Sequence, residues 1–157
     1  MAKTVNETCE DLINAWLTVS STIRKDRLVS NISFNEYKVL GLIYNNAYGK
    51  KSAKDTAQKL TAKDILEETG MLKSQINRIL TSLSGRQYIS IKVAKEDKRK
   101  KELSITKRGT TAYEKEHKKV VELTKGLYTK LGNKKVTELT KTLNEVKDAF
   151  EKVSSKK

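Results

Sequence analysis

The sequence predicts a mainly α chain: two short helices across a glycine turn, then a two-stranded basic hairpin, set between long amphipathic helices. Three observations carry this. Gly70 separates two short runs of helical apolar periodicity. Ile89, Ile91 and Val93 alternate with Ser90, Lys92 and Ala94, and Leu103 and Ile105 alternate on the return. Apolar residues step by three and four over residues 5–27 and again over residues 136–153. Together they describe a winged helix-turn-helix with a two-stranded wing, flanked by dimerisation helices. The expected division is 1–32 for an N-terminal dimerisation helix, 33–109 for the winged unit and 110–157 for C-terminal dimerisation helices.

The elements follow in order. Val5, Cys9, Leu12, Trp16, Val19 and Ile23 make one stripe along a helix over 5–27, widened by Ile13 and Leu17. Ser33, with Glu36 three residues on, is a capping box for a helix over about 34–46. That helix is expected to bury Phe34, Tyr37, Leu40 and either Ile43 or Tyr44. Thr61 and Asp64 form a weaker capping box for the next helix, which buries Ile65 and Leu66. Gly70 supplies the positive φ of the turn. The second short helix, about 72–83, turns Ile76, Ile79, Leu80 and Leu83 inward. Lys73, Ser74, Gln75, Asn77, Arg78, Thr81 and Ser82 are left outside. After the hairpin, Thr106 caps a long helix to about Leu131, with Tyr113, Val120, Val121, Leu127 and Leu131 inward and Gly126 as a point of bending. Residues 131–134 stop it. The last helix carries Val136, Leu139, Leu143, Val146, Phe150 and Val153, a narrow helix-association seam.

Charge points to the partner. The chain carries a net +14 over 157 residues. Residues 1–46 hold five basic and five acidic residues, whereas residues 47–109 hold sixteen against seven. The excess therefore sits on the helix-turn-helix and wing, which favours a polyanion there. The tip, Lys95 to Lys101, has five cations and two acids. The outer face of the second short helix holds amides and an arginine, the residue types that read adenine and guanine edges in the major groove. Gln75, Asn77 and Arg78 are the base-reading candidates. Lys73, Ser74, Lys98, Lys100 and Lys101 are the phosphate candidates.

Other classes find less support. One histidine, His117, and one cysteine, with no Gly-rich phosphate loop, leave no catalytic or metal cluster, so neither an enzyme nor a cofactor is expected. Apolar content of 36% is low for a monomer of one domain, which suggests a core completed by a second copy. No run of about 18 apolar residues would span a membrane. The N-terminus lacks a signal-peptide core, so a cytoplasmic protein is expected. Cys9 lies on the apolar stripe beside Glu7, Glu10 and Asp11, surroundings that oppose a thiolate and favour a packed core cysteine.

The tip Asp97-Lys98-Arg99 and the exit Leu103-Ser-Ile-Thr106-Lys-Arg-Gly109 resemble the MarR family of bacterial winged-helix transcription regulators. The pattern Asp-x-Arg followed by Leu/Ile-Thr-x-x-Gly is met at Asp97, Arg99, Thr106 and Gly109. The order of flanking helices extends the resemblance over nearly the whole chain. It implies a homodimeric double-stranded DNA-binding regulator, of the repressor type, on a pseudo-palindromic operator. It further implies that Arg99 enters the minor groove, that Asp97 orients a nearby arginine, and that the Ser74–Arg78 face lies in the major groove. Many members of the family bind aromatic or phenolic acids between the dimer body and the DNA unit. Trp16, Phe34, Tyr37 and Tyr44 are candidates to line such a pocket, with Arg24 or Lys38 meeting an anion; ordinary core aromatics are the competing reading. Two features depart from the pattern. Leu66 stands where the family has a small residue. The connection Ala47 to Leu60 is long and basic, through Lys50, Lys51, Lys54 and Lys59, and is either a short helix, a further phosphate contact or an idle loop. The alternative function is an architectural DNA- or RNA-binding protein without sequence preference.

Overall fold

A computed structural model describes residues 3–25, 28–49, 59–95 and 97–154. In chain order they form α1 (Val5–Lys25), α2 (Phe34–Tyr48), α3 (Ala62–Thr69), α4 (Lys73–Gly85), β1 (Ile89–Val93), β2 (Lys101–Ile105) and α5 (Lys107–Ser154). The strands pair antiparallel, Ile89 opposite Ile105 and Val93 opposite Lys101. Two compact units result, residues 1–119 and residues 120–157.

Local signals account for the element starts in the first unit. Ser33 accepts from the Glu36 N–H at 3.1 Å, and Glu36 accepts from the Ser33 N–H at 2.7 Å. Thr61 and Asp64 repeat the exchange at α3, at 3.4 and 2.7 Å. Each box satisfies donors that a helix start leaves without partners. α3 ends at Gly70, whose φ of 63° lies in the left-handed region and sends its N–H back to the Leu66 carbonyl at 2.9 Å.

The core of this unit is Val39, Leu40 and Ile43 from α2, Ile65 from α3, Ile76, Ile79, Leu80 and Leu83 from α4, and Ile89 and Leu103 from the hairpin. Tyr113 of α5 covers it against Gly41, whose missing side chain leaves room for the phenol ring. The expected inward row of α4 and the Thr106–Gly109 exit are thus realised. Thr106 Oγ1 lies 2.7 Å from the Gln87 carbonyl oxygen and accepts the Gly109 N–H at 3.0 Å. A side chain on Gly109 would overlap the Tyr88 carbonyl oxygen, so only glycine lets α5 start this close to the hairpin base.

Several expectations are corrected. Phe34 is 49% exposed, because the buried positions of α2 are Glu36, Val39, Leu40, Gly41 and Ile43, one step round the helix. Leu66 is only half-buried. Ile91 and Val93 are exposed although Leu103, opposite Ile91, is buried: α2 and α3 pack over β2 and leave these two side chains of β1 without cover. Ser82 is half-buried and donates to Glu36 rather than facing outward. Cys9 is exposed, since no residue of α1 is buried within one chain.

In the second unit the helix is interrupted at Gly132 (φ 80°, ψ 160°), just before the last seam, as the stop at 131–134 anticipates. Gly126 lies within regular helix. Val121, Leu127, Leu131, Leu139, Leu143, Phe150 and Val153 are exposed in one chain, whereas Val120, Val136 and Val146 are half-buried. The inward face read from periodicity is real as a stripe, but one chain does not cover it.

Gly109→Ala should lower stability by roughly 1–3 kcal/mol, the cost of forcing extra volume into a close contact. Urea denaturation would measure it. A variant as stable as the parent would show that the Tyr88–Gly109 contact can relax at no cost.

Candidate nucleic-acid interface

The turn into α4 is built without a side-chain cap. Leu72 occupies the cap position with extended backbone, and its carbonyl accepts the Ile76 N–H at 3.0 Å. The Leu72 N–H is taken by Gln75 Oε1 at 3.2 Å. With Ile76, Ile79, Leu80 and Leu83 inward, Lys73, Ser74, Gln75, Asn77, Arg78 and Thr81 are all exposed. Spacings of three and four put Ser74, Gln75 and Arg78 on adjoining rows of one face. Thr81 donates to the Asn77 carbonyl at 2.8 Å.

The wing tip is closed by its acid. Asp97 Oδ1 accepts the Arg99 N–H at 2.9 Å, and the Asp97 carbonyl accepts the Lys100 N–H at 2.9 Å. Asp97 thus shapes the turn through the backbone of Arg99, a local Asx-type arrangement. Lys98, Arg99, Lys100 and Lys101 are exposed, their charges free to meet an anion. The far edge of the wing is fastened too. Leu103 N–H donates to the Leu60 carbonyl at 2.8 Å, Thr61 bridges Glu102, and Lys59 pairs with Glu102 at 2.8 Å. Lys59 is therefore engaged in holding the entry to α3 against β2. The other lysines of the long connection, Lys50, Lys51 and Lys54, lie outside the described residues.

Sequence periodicity missed the supports behind this face. Glu36 accepts from the Ser82 hydroxyl of α4 at 2.6 Å, and Arg86, the residue that caps the end of α4, donates to the Asn31 carbonyl at 2.9 Å. Glu116, 2% exposed, accepts from the Ser30 N–H at 2.9 Å, Asn31 Nδ2 at 2.7 Å and Lys119 at 3.0 Å. Burial pushes both carboxyls up. The opposing hydrogen bonds, with the charges of Arg86 and Lys119, outweigh it and hold both below the ordinary value of 4.5.

A cavity of about 610 Å³ opens beside this loop, lined by Ser20, Ile23, Arg24, Leu28 to Ser30, and Ile32 to Phe34. Of the aromatic pocket candidates, Phe34 lines it, as does Arg24. Trp16 is exposed on α1. Tyr37 stacks instead on Tyr113 at 5.5 Å between ring centroids, and Tyr44 packs against Tyr113 in a tilted pair at 4.5 Å. The Tyr37 hydroxyl lies 2.7 Å from His117 Nδ1, and burial, then neighbouring Tyr113, push its pKa up to about 12. His117 and these rings form an aromatic ladder between α2 and α5. Among the described residues no three His, Cys, Asp or Glu side chains gather as a metal site would require, and no helix is long and apolar enough to cross a membrane.

No protein-family model and no curated protein matches the sequence. Solved structures do resemble the fold. The PcaV transcriptional regulator of Streptomyces coelicolor, in complex with its natural ligand, matches with a TM-score of 0.68 at 17% identity over 95% of this chain and 99% of that one. A MarR/EmrR family transcriptional regulator of Acinetobacter sp. ADP1 matches with a TM-score of 0.68 at 17% identity over 96% and 99%. The MepR–DNA complex of S. aureus matches with a TM-score of 0.64 at 16% identity over 94% and 99%. The chain has the winged helix-turn-helix fold of MarR/EmrR-type transcriptional regulators.

The lowered carboxyls set a direction for pH dependence. A folded pKa below the unfolded value stabilises the fold above about 4.5, and that contribution is lost as pH falls through the folded value. Urea midpoints should therefore drop on acidification below about pH 4.5. Glu116→Gln should cost roughly 1–3 kcal/mol at neutral pH and flatten the acid limb. An unchanged acid limb would show that Glu116 is not a source of the dependence.

Proposed function

We propose that this chain belongs to the MarR family and works as a homodimeric, sequence-specific regulator of transcription, of the repressor type, on double-stranded DNA in the cytoplasm. The observation that carries the reading is the exposed Lys73–Arg78 face of α4 beside a wing whose tip cations are also exposed. The fold shared with MepR, crystallised with DNA, supports the same use. Gln75, Asn77 and Arg78 would read bases in the major groove and Arg99 in the minor groove. Lys73, Ser74, Lys98, Lys100 and Lys101 would hold phosphates, and Asp97 would shape the wing.

The dimer rests on what one chain leaves bare. α1 buries none of its apolar stripe, and Leu139, Leu143 and Phe150 are each about half-exposed or more. Faces of that size in water are normally covered by another surface. A second copy covering the seam of Val136, Leu139, Leu143, Val146 and Phe150 would present two reading helices to two half-sites. A small aromatic or anionic effector is supported by the cavity with Arg24 at its wall and by the ligand complex of PcaV. Such a ligand would release DNA only by favouring a different spacing of the two reading helices.

Arg99→Ala should weaken operator binding by about 1–3 kcal/mol. Lys100→Ala should cost less and lower the salt slope by about one unit. Competition between a pseudo-palindromic duplex and random DNA tests the whole reading; equal affinity for both would favour the architectural alternative.

Leu143→Asp would bury an unpaired charge in the seam, at a cost of several kcal/mol unless the helices part. Tight operator binding should fall by on the order of 10²–10⁴, the gain that linked half-site binding supplies. Sedimentation with a DNA titration reads both effects. A folded dimer of unchanged affinity would overturn the assigned interface.

A further inference from the structure

We propose that Gln75 reads a keto base, guanine or thymine, through its amide N–H alone, because its carbonyl is committed to capping its own helix. The proposal rests on the DNA-binding reading above and deepens it.

The argument starts from the three helix starts of the winged unit. α2 and α3 are capped by Ser33 and Thr61, whose hydroxyls accept from the helix while Glu36 and Asp64 return the bond. Leu72 has no side-chain oxygen, so only the returning half of the box can form at α4. Gln75 supplies it, its Oε1 accepting the Leu72 N–H at 3.2 Å. The opposite placement of the amide would set its NH₂ against a backbone N–H, two donors facing each other. The donor at Leu72 therefore fixes which end of the carboxamide turns back and which turns out.

Gln75 is exposed and sits in the first turn of α4, the end that contacts base edges in helix-turn-helix complexes. The usual glutamine–adenine pair needs carbonyl and amide to face the base together, one accepting from N6 and the other donating to N7. With Oε1 turned back to the Leu72 N–H, one of its two lone pairs is taken and the NH₂ is the end turned outward. An amide NH₂ is matched by the two adjacent acceptors of guanine, O6 and N7, or by thymine O4; adenine offers N7 beside an opposing amino group, and cytosine offers only its amino group.

The test is selection of bound duplexes from a randomised pool by the full-length protein, its Gln75→Glu variant and its Gln75→Ala variant, with thermal melting of each. Gln75→Glu keeps an acceptor for the Leu72 N–H and adds a negative charge suited to a helix N-terminus, so its melting temperature should hold or rise. The parent should enrich guanine or thymine at one symmetric pair of positions. Gln75→Glu should swing those positions towards cytosine or adenine by about tenfold. Gln75→Ala should lose preference there alone and melt slightly lower. Selection compares bases within one pool, so a uniform loss of affinity from the added charge does not enter. Adenine enriched by the parent at the responding position would overturn the proposal, since the cap would then open on DNA. Identical pools for all three proteins would overturn it by making Gln75 a cap only. A parent that enriches no sequence would overturn base reading as a whole, a failure distinct from the other two.

Discussion

Glu36 stands where three segments meet, and the placement of α4 depends on it. Its carboxylate closes the cap of α2 through the Ser33 N–H and takes the Ser82 hydroxyl of α4 at 2.6 Å. Arg86, at the C-terminal cap of that helix, adds its charge and bonds the Asn31 carbonyl. A buried charge without such partners would be costly, so the carboxylate tolerates one arrangement of α2, the 30–33 loop and α4 and disfavours others. The apolar contacts of Leu80 and Leu83 bring the helices together; the carboxylate defines their setting.

Glu116 fastens the same loop from the other side, through Ser30 and Asn31. The cavity shares that loop, since Val29, Ser30, Ile32 and Ser33 are part of its wall. Loop, cavity and α4 are therefore joined by a short chain of polar bonds that runs through buried carboxylates. The wing is held by different means. Its base is closed by Thr106 and Gly109, its edge by Leu60 to Leu103 and Lys59 to Glu102, and its tip by Asp97. Rigid attachment of a cationic turn keeps its charges presented at small entropic cost.

The sequence by itself determined what depends on neighbours. Both capping boxes, the left-handed Gly70, the inward row Ile76, Ile79, Leu80 and Leu83, the basic tip and the break before the last seam were all legible. Each is written within three or four residues, the reach of a helical turn or a hairpin tip. The exposed base-reading and phosphate candidates on α4 and the wing follow from the same periodicity. Tertiary structure decided the rest. Ser82 turns inward because an acid 46 positions earlier comes to meet it, and Glu116 is buried because Ser30 and Asn31, 86 and 85 positions before it, wrap over it. Phe34 lies at the cavity rather than in the core, and Ile91 and Val93 stand clear of it, because cover depends on what packs opposite. Alternation and periodicity state which residues share a face. They carry no information on whether that face meets a distant segment or water, for that is set only when the chain closes on itself.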